Sequence, residues 1–390
     1  MFTGYLRPTL LPPYVTSLLL TPCHSPHLCH SFGDTARRSR LARGTLDVLG
    51  MGKVPVGMGE GDPHIGNTCS TAFANNYIPS KAWKPYRAPE LLKKLYTQAE
   101  DKSIDVCIIA AMTDFAHFVE AEPELFSAKT RRVNIMGGAK PRVEGADNSV
   151  FFEPDDSYNC FCDEEASELA FQKCQEVRSG VRLASERAHT LTFLFLTSAS
   201  YLLSPPQLRI PMTILSRHSA YKAPLQRGVY ELMAKTGNPI ANRLLSEQKQ
   251  SIGELWKRAV SPPNSAGRME LPDRCDRKWF IATFMGGPSP ANASLTDDED
   301  VWPHIRSFNM YDPLSCIAAM EENAKFLKGE VVEINGVEHW LIGTTKEEHG
   351  MVEDKVDDLK EYMLERFLQS MNAPKLPEND DEVESDIIMI

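Results

Sequence analysis

Apolar positions along this chain fall into short unbroken runs and into helical stripes, and the two kinds alternate. A helical spacing at Leu41, Leu46, Val48 and Leu49 stops at Gly50, the residue type that most easily leaves a helix. The run Lys53-Val-Pro-Val-Gly57 then predicts a buried strand. Leu91, Leu92, Leu95 and Tyr96 mark an amphipathic helix, and Ile104-Asp-Val-Cys-Ile-Ile-Ala-Ala111 reads as a continuous buried strand. The next helix is expected to begin at Thr113-Asp114, either of which can cap it, and to reach Phe126. Further strands are predicted at Arg132–Met136, before Gly137-Gly138, and at Ile210–Leu215. Glu164 to Gln175 reads as a helix, and Val352, Val356, Leu359, Met363 and Phe367 recur every three or four residues along a long one. Strands alternating with helices predict an α/β fold with a mostly parallel sheet flanked by helices. Ligands of such sheets bind beyond the carboxyl ends of the strands, so the informative positions are Gly57–Gly61, Thr113-Asp114, Gly137-Gly138 and Ser216–His218.

Three segments stand outside this pattern. Residues 1–40 are Pro-rich and carry no acid before Asp34; the composition is that of a transit peptide, but the prolines break any amphipathic helix, and the segment reads as disordered or foreign. Its cluster Cys23, His24, His27, Cys29 and His30 lacks the second half of a zinc module and reads as metal-free. Residues 190–206 form an apolar, Ser/Thr-rich insert where a helix and a strand are normally joined by a few residues. From Leu376 six acids follow, so 373–390 reads as a solvated, disordered tail. One α/β domain over 41–372 remains.

Composition narrows the classes. With 390 residues, 42% hydrophobic and 24% charged, the chain has an ordinary soluble globular make-up. A net charge of −11, from 42 Lys+Arg against 53 Asp+Glu, repels nucleic-acid phosphate and argues against a nucleic-acid partner. Nine cysteines without paired CxxC knuckles point to a reducing compartment, so a cytoplasmic location is expected. The longest apolar runs, Val15–Leu20 and Leu191–Leu203, are too short or too rich in Ser, Thr and Pro to span a bilayer.

Candidate chemistry gathers in the segment from Gly145 to Asp163, where Asp147, Asn148, Glu153, Asp155, Asp156, Ser157 and Asn159 offer groups suited to sugar hydroxyls or a cation. Elsewhere the plainer readings hold by chemistry alone. Asp312 reads as a helix-start aspartate, Gly137-Gly138 as a tight turn rather than a phosphate cradle, and His218 as a packed or surface imidazole without a visible partner carboxylate. No GxSxG surrounds Ser157, which sets aside a serine hydrolase. Asn292-Ala-Ser294 is a chance glycosylation match, and Asp297-Asp-Glu-Asp300 is expected to face solvent. The signature Leu271-Pro-Asp-Arg-Cys-Asp-Arg-Lys-Trp279 reads as a structural loop, with a perturbed Cys275 thiolate as the alternative.

Five separated pieces, in order, resemble the inosine-uridine preferring nucleoside hydrolase family. Val54-Pro-Val-Gly57 is similar to its early strand and glycine loop, Ala111-Met-Thr-Asp-Phe-Ala116 to its GPLTNxA motif, and Asn134-Ile-Met-Gly-Gly-Ala139 to its MGGA strand. Asp156-Ser-Tyr-Asn-Cys-Phe-Cys-Asp163 resembles its AEFN loop, and Tyr311-Asp-Pro-Leu314 its HDPLA motif. The resemblance implies a Rossmann-like nucleoside hydrolase fold and hydrolysis of the N-glycosidic bond of a nucleoside to ribose and free base, a salvage reaction of purines and pyrimidines. It implies a calcium ion that holds the ribose diol and the attacking water, an oxocarbenium-like transition state, and dimers or tetramers.

Carried over by position, Asp312 matches a calcium-ligating aspartate and Thr113 the residue giving a backbone carbonyl. Asn159 and Asn148 match ribose-contacting asparagines, and Ser157 stands where the family has a ribose-binding glutamate. Tyr311 replaces the histidine that assists the leaving base, a role in which a phenol donates a proton or stacks on the base. The family's DxDxGxDD loop, which carries most calcium ligands and the general base, does not occur before Val54. The alternative implied is a catalytically inactive relative acting as a ribose- or nucleoside-binding or assembly protein.

Overall fold

The computed structural model describes residues 35–49, 54–60, 84–144, 149–175, 209–269, 271–344, 349–372 and 387–389. Asn148, the cysteine and histidine cluster at 23–30, and the segment 190–206 lie outside the described residues. The strands are β1 (Gly57–Met58), β2 (Tyr86–Arg87), β3 (Ile104–Ile108), β4 (Thr130–Met136), β5 (Ala139–Glu144), β6 (Ser149–Pro154), β7 (Met212–Leu215), β8 (Leu225–Gln226), β9 (Ser307–Phe308), β10 (Leu327–Ile334), β11 (Val337–Ile342), β12 (Gly350–Met351) and β13 (Ile387–Met389).

The central sheet runs in the order β12-β10-β11-β7-β4-β3-β13. From β11 to β13 every neighbouring pair is parallel, while β10 pairs antiparallel with both β11 and β12. The expected α/β class with a mostly parallel sheet is therefore the observed one. β3 and β7 are buried along their whole length, which is why they read as nearly continuous apolar runs in the sequence, interrupted by Asp105 and Thr213. Alternation still sorts their side chains. Val106, Ile108, Val133, Ile135, Met212 and Ile214 pack with Leu92, Phe115, Phe118 and Phe171 on one face. On the other face Cys107 meets Cys316, Sγ to Sγ 3.2 Å, which seats the Tyr311–Ala319 helix under β3. That helix also packs on β4 and β7, so the sheet fixes its first turn.

Several expectations are corrected. The helix expected from Leu41 begins at Thr35, the first described residue. Among the described residues, 54–60 give no strand of the central sheet; Gly57–Met58 pairs with Tyr86–Arg87 in a separate parallel ribbon, and Pro55 before it has no N–H to offer a ladder. The helix expected from Thr113 to Phe126 is two, Thr113–Ala121 and Pro123–Lys129. Pro123 has no N–H and pushes Glu122 out of the helical region, to φ −132° and ψ 52°. Met112, not Thr113 or Asp114, is the N-cap, its carbonyl accepting from Ala116 N at 2.8 Å. The loop from Gly145 to Asp163 is partly a hairpin, β5 pairing antiparallel with β6, followed by a short helix at Tyr158–Phe161.

The acidic tail also departs from expectation, since Ile387–Met389 joins the sheet as a parallel neighbour of β3. A hairpin not anticipated from the pattern links β10 to β11. Its turn is Asn335-Gly336, both at positive φ (52° and 77°), the conformation in which a two-residue connection matches strand twist. Among the described residues no helix is long and apolar enough to cross a membrane.

Candidate functional site

The carboxyl ends of β3, β4 and β7 open onto one place, and the segment 155–163 lies across it. Tyr158 and Cys162 pack on Ala110-Ala111 just after β3, and Thr113 Oγ1 donates to Asp163 Oδ2 at 2.5 Å. After β4, Asp155 N donates to the Gly138 carbonyl at 3.0 Å. A Cβ on Gly138 would lie 2.1 Å from the Asp155 carboxylate, so only glycine admits this close approach. Asp155 Oδ1 in turn accepts from Ser157 N at 2.8 Å, a local turn that starts the Tyr158–Phe161 helix. Asn159 Nδ2 donates to the Met136 carbonyl at 2.9 Å, anchoring that helix to the end of β4.

After β7 the chain turns at Ser216, whose hydroxyl donates to the Gly343 carbonyl at 2.5 Å. Arg217 follows and reaches both acids of the crossing segment, at 3.3 Å to Asp155 and 2.9 Å to Asp156. A second guanidinium arrives from the 271–279 signature: Arg274 Nη1 donates to the Asp156 carboxylate at 2.8 Å and to its backbone carbonyl at 2.7 Å. The rest of that signature serves to hold Arg274 in place. Buried Arg268 donates to the carbonyls of Leu271, Pro272 and Asp273, and Asp276 caps the Arg277–Phe284 helix by accepting from Trp279 N at 2.8 Å.

These charges shape the local acidities. Burial works against the Arg217 guanidinium, but Asp155 and Asp156 outweigh it and hold the cation more firmly than usual. Burial likewise disfavours the Asp156 carboxylate, and Arg217 and Arg274 overcome it to keep the acid below its ordinary range. For Cys275 burial dominates and raises the thiol above its usual value despite Arg274, Arg268 and Arg217 nearby. This direction favours the neutral thiol over the thiolate considered for Cys275, and the residue packs in the core.

Tyr311 and Asp312 open the helix that runs under β3, β4 and β7. The Tyr311 hydroxyl accepts from Asn309 Nδ2 at 3.2 Å. Its ring meets Tyr221 edge-on with centroids 6.1 Å apart, and Tyr221 meets His218 at 5.9 Å. Burial, with the neighbouring Tyr221 phenol adding to it, pushes the Tyr311 phenol well above its ordinary value, so it is a proton donor and not a base near neutral pH. Tyr221 also lies within electrostatic range of Arg217. Tyr311, Tyr221, Arg217, Asp155 and Ser157 therefore form one continuous set of neighbours. Asp312 is buried in the first turn of its helix.

The structure places the sequence-derived candidates unevenly. Tyr311 and Ser157 meet through Tyr221, Arg217 and Asp155 as just described, Thr113 is tied to the crossing segment through Asp163, and the Asn159 amide is spent on Met136. Asn148 lies outside the described residues. Arg217, Arg274 and Tyr221 were not anticipated; the signal for Arg274 was the unexplained charged signature, and for Arg217 its position directly after a strand.

A calcium ion takes six to eight oxygens. Among the described residues no three His, Cys, Asp or Glu side chains stand close enough to share a metal. The nearby carboxylates have other partners: Asp114 accepts from Glu60 N, Asp163 from Thr113 Oγ1 and Ala166 N, and Asp155 and Asp156 from arginines. Thr113 lies in the first turn of a helix, where its carbonyl serves the backbone ladder.

No protein-family model matches the chain, and no curated protein matches it. Solved structures do. The effector protein XOO4466 is 20% identical with a TM-score of 0.62 over 92% of this chain and 90% of that one. Type III effector protein XopQ, complexed with adenosine diphosphate ribose, is 22% identical with a TM-score of 0.59 over 92% and 91%. A plant nucleoside hydrolase aligns more distantly, at 14% identity and a TM-score of 0.49 over 93% and 96%. At such identities the likeness is one of fold, and the chain has the α/β fold of the two effector structures, with nucleoside hydrolases among its more distant structural neighbours.

Proposed function

We propose that the chain takes the ribosyl part of a nucleoside-type small molecule at the carboxyl ends of β3, β4 and β7, and that its described residues bind this ligand without cleaving it. The observation that carries this reading is the state of the carboxylates around the site. Cleavage of an N-glycosidic bond needs negative charge near an oxocarbenium-like centre, a base for the attacking water and an acid for the leaving base. Asp155 and Asp156 are neutralised by Arg217 and Arg274, and Asp163 is held by Thr113 and the Ala166 amide. Neither cationic stabilisation nor a general base is left among them. The remaining groups suit recognition: the Tyr221 and Tyr311 rings offer an apolar wall beside Arg217. The structure of like fold with adenosine diphosphate ribose bound supports a ribosyl ligand.

A second reading, an active nucleoside N-ribohydrolase, is favoured by one observation, the Tyr311 phenol held protonated by burial at the start of a helix whose next residue is the buried Asp312. Here Tyr311 would donate its proton to the departing base.

One experiment separates the two. Calorimetric binding of adenosine, inosine and uridine is measured beside ribose release, with added calcium and with chelator. Binding without release is the expected outcome. Calcium-dependent release would establish the hydrolase instead, and Tyr311→Phe should then lower the rate by roughly 10²-fold. Absence of any binding by folded protein would remove the ribosyl site.

A further inference from the structure

We infer that Arg217 and Arg274 form an anion subsite that takes the phosphate of a phosphorylated ribosyl compound, with the Asp156 carboxylate as the internal group that the phosphate displaces. The inference rests on the ribosyl reading of the same cleft and adds the ligand's charge. Two guanidinium groups from distant parts of the chain, one after β7 and one from the 271–279 signature, converge on the single carboxylate of Asp156. Asp156 is poorly suited to be their permanent partner. Its side chain is 61% exposed, so both pairs are screened by water, and such pairs contribute little to stability. Arg217 and Arg274 are by contrast mostly shielded, at 17% and 28% exposure.

Arg274 also has donor capacity to spare. Its Nη1 serves one carboxylate oxygen and the backbone carbonyl of Asp156, while Nε is buried with no hydrogen-bond partner. A buried donor without an acceptor is costly. A phosphate offers several acceptor oxygens in the geometry that a guanidinium fork matches two at a time, and a carboxylate already used by two arginines does not. Arg268, which donates to three backbone carbonyls, adds a third cation close to Cys275. Among nearby acids, Asp155 is turned to the Ser157 amide and Arg217, and Asp276 to its helix cap. The aromatic wall of Tyr221 and Tyr311 borders Arg217, which places a ribosyl group and its phosphate within one ligand's span.

The test compares adenosine, adenosine 5′-monophosphate and inorganic phosphate by calorimetry at low and high salt, on the wild-type chain and on Arg274→Ala, Arg274→Gln and Asp156→Asn, each checked by thermal melting. The expected result is a preference for the monophosphate over adenosine of about tenfold or more at low salt, reduced at high salt. Arg274→Ala should lower monophosphate affinity about tenfold and adenosine affinity at most two- to threefold, with Arg274→Gln behaving alike if the alanine variant melts early. Asp156→Asn should tighten monophosphate binding by removing the competitor. Equal affinity for adenosine and the monophosphate would overturn the subsite while leaving the ribosyl reading intact, as would a preference that survives both Arg274 variants. Phosphate binding lost on Arg274 substitution, in a chain that binds no adenosine, would keep the subsite and remove the ribosyl reading.

Discussion

Two carboxylate–guanidinium pairings sit at opposite corners of the same strands and differ in what surrounds them. At the amino end of β3, Asp105 is 3% exposed and takes both arms of Arg131, at 2.9 Å and 2.5 Å. At the carboxyl ends, Asp156 stands in water and is shared by two arginines. The first carboxylate has lost its hydration and depends on its partner, whereas the second keeps water as an alternative. Chemistry is the same at both corners; burial decides which pair holds the fold and which is available for exchange with a ligand.

The strongest check on that burial rule uses a different ion. His339 in β11 is fully buried, accepts from Met212 N through Nδ1 at 3.2 Å, and is pushed down by burial to about 4. It is neutral in the fold, while the unfolded chain takes up a proton near 6.5. Its contribution is therefore intact above about pH 6.5 and lost as pH falls toward 4, about 3 kcal/mol in all. Denaturant titrations between pH 7 and pH 4 should show this slope, and His339→Gln should flatten it. Next in size, Arg131→Ala should destabilise by about 2 kcal/mol, because Asp105 stays buried without its cation; a loss below about 0.5 kcal/mol would break the contrast between the two corners. Gly138→Ala should cost about 1–2 kcal/mol, since the added Cβ displaces an Asp155 carboxylate held by Arg217 and Ser157 N, and it should disturb ligand binding as well. Smallest of all, Asp156→Asn should shift stability by under about 0.5 kcal/mol, although it removes a partner from two arginines at once.

The same contrast explains what the sequence discloses. Ile104–Ile108 and Met212–Leu215 are legible because both faces are buried and all but Asp105 and Thr213 are apolar. The β10–β11 hairpin is less so: Lys328, Glu333 and Glu338 interrupt its pattern with exposed charges, leaving Asn335-Gly336 as the local signal. Val54-Pro-Val misleads for the opposite reason, apolar texture without a ladder partner in the central sheet. At the site, Tyr311, Asp312, Ser157 and Asn159 are found through the resemblance, which fixes positions along the chain. Arg217 and Arg274 escape it because their meeting at Asp156 is made by the fold, through the Arg268 brace and the turn after β7, and no local spacing records it.

The edge strand Ile387–Met389 has a consequence for the order of folding. β3 lies next to β4 in sequence and can find that neighbour early, whereas its outer neighbour comes from the far end of the described sequence, across a large loop whose closure is entropically slow. Until that closure, the outer row of amide and carbonyl groups on Ile104–Ile108 stays open, a template on which strands of other chains can add. The three residues of β13 thus act in time as well as in space: they end the interval during which the outer edge of β3 is open to other chains.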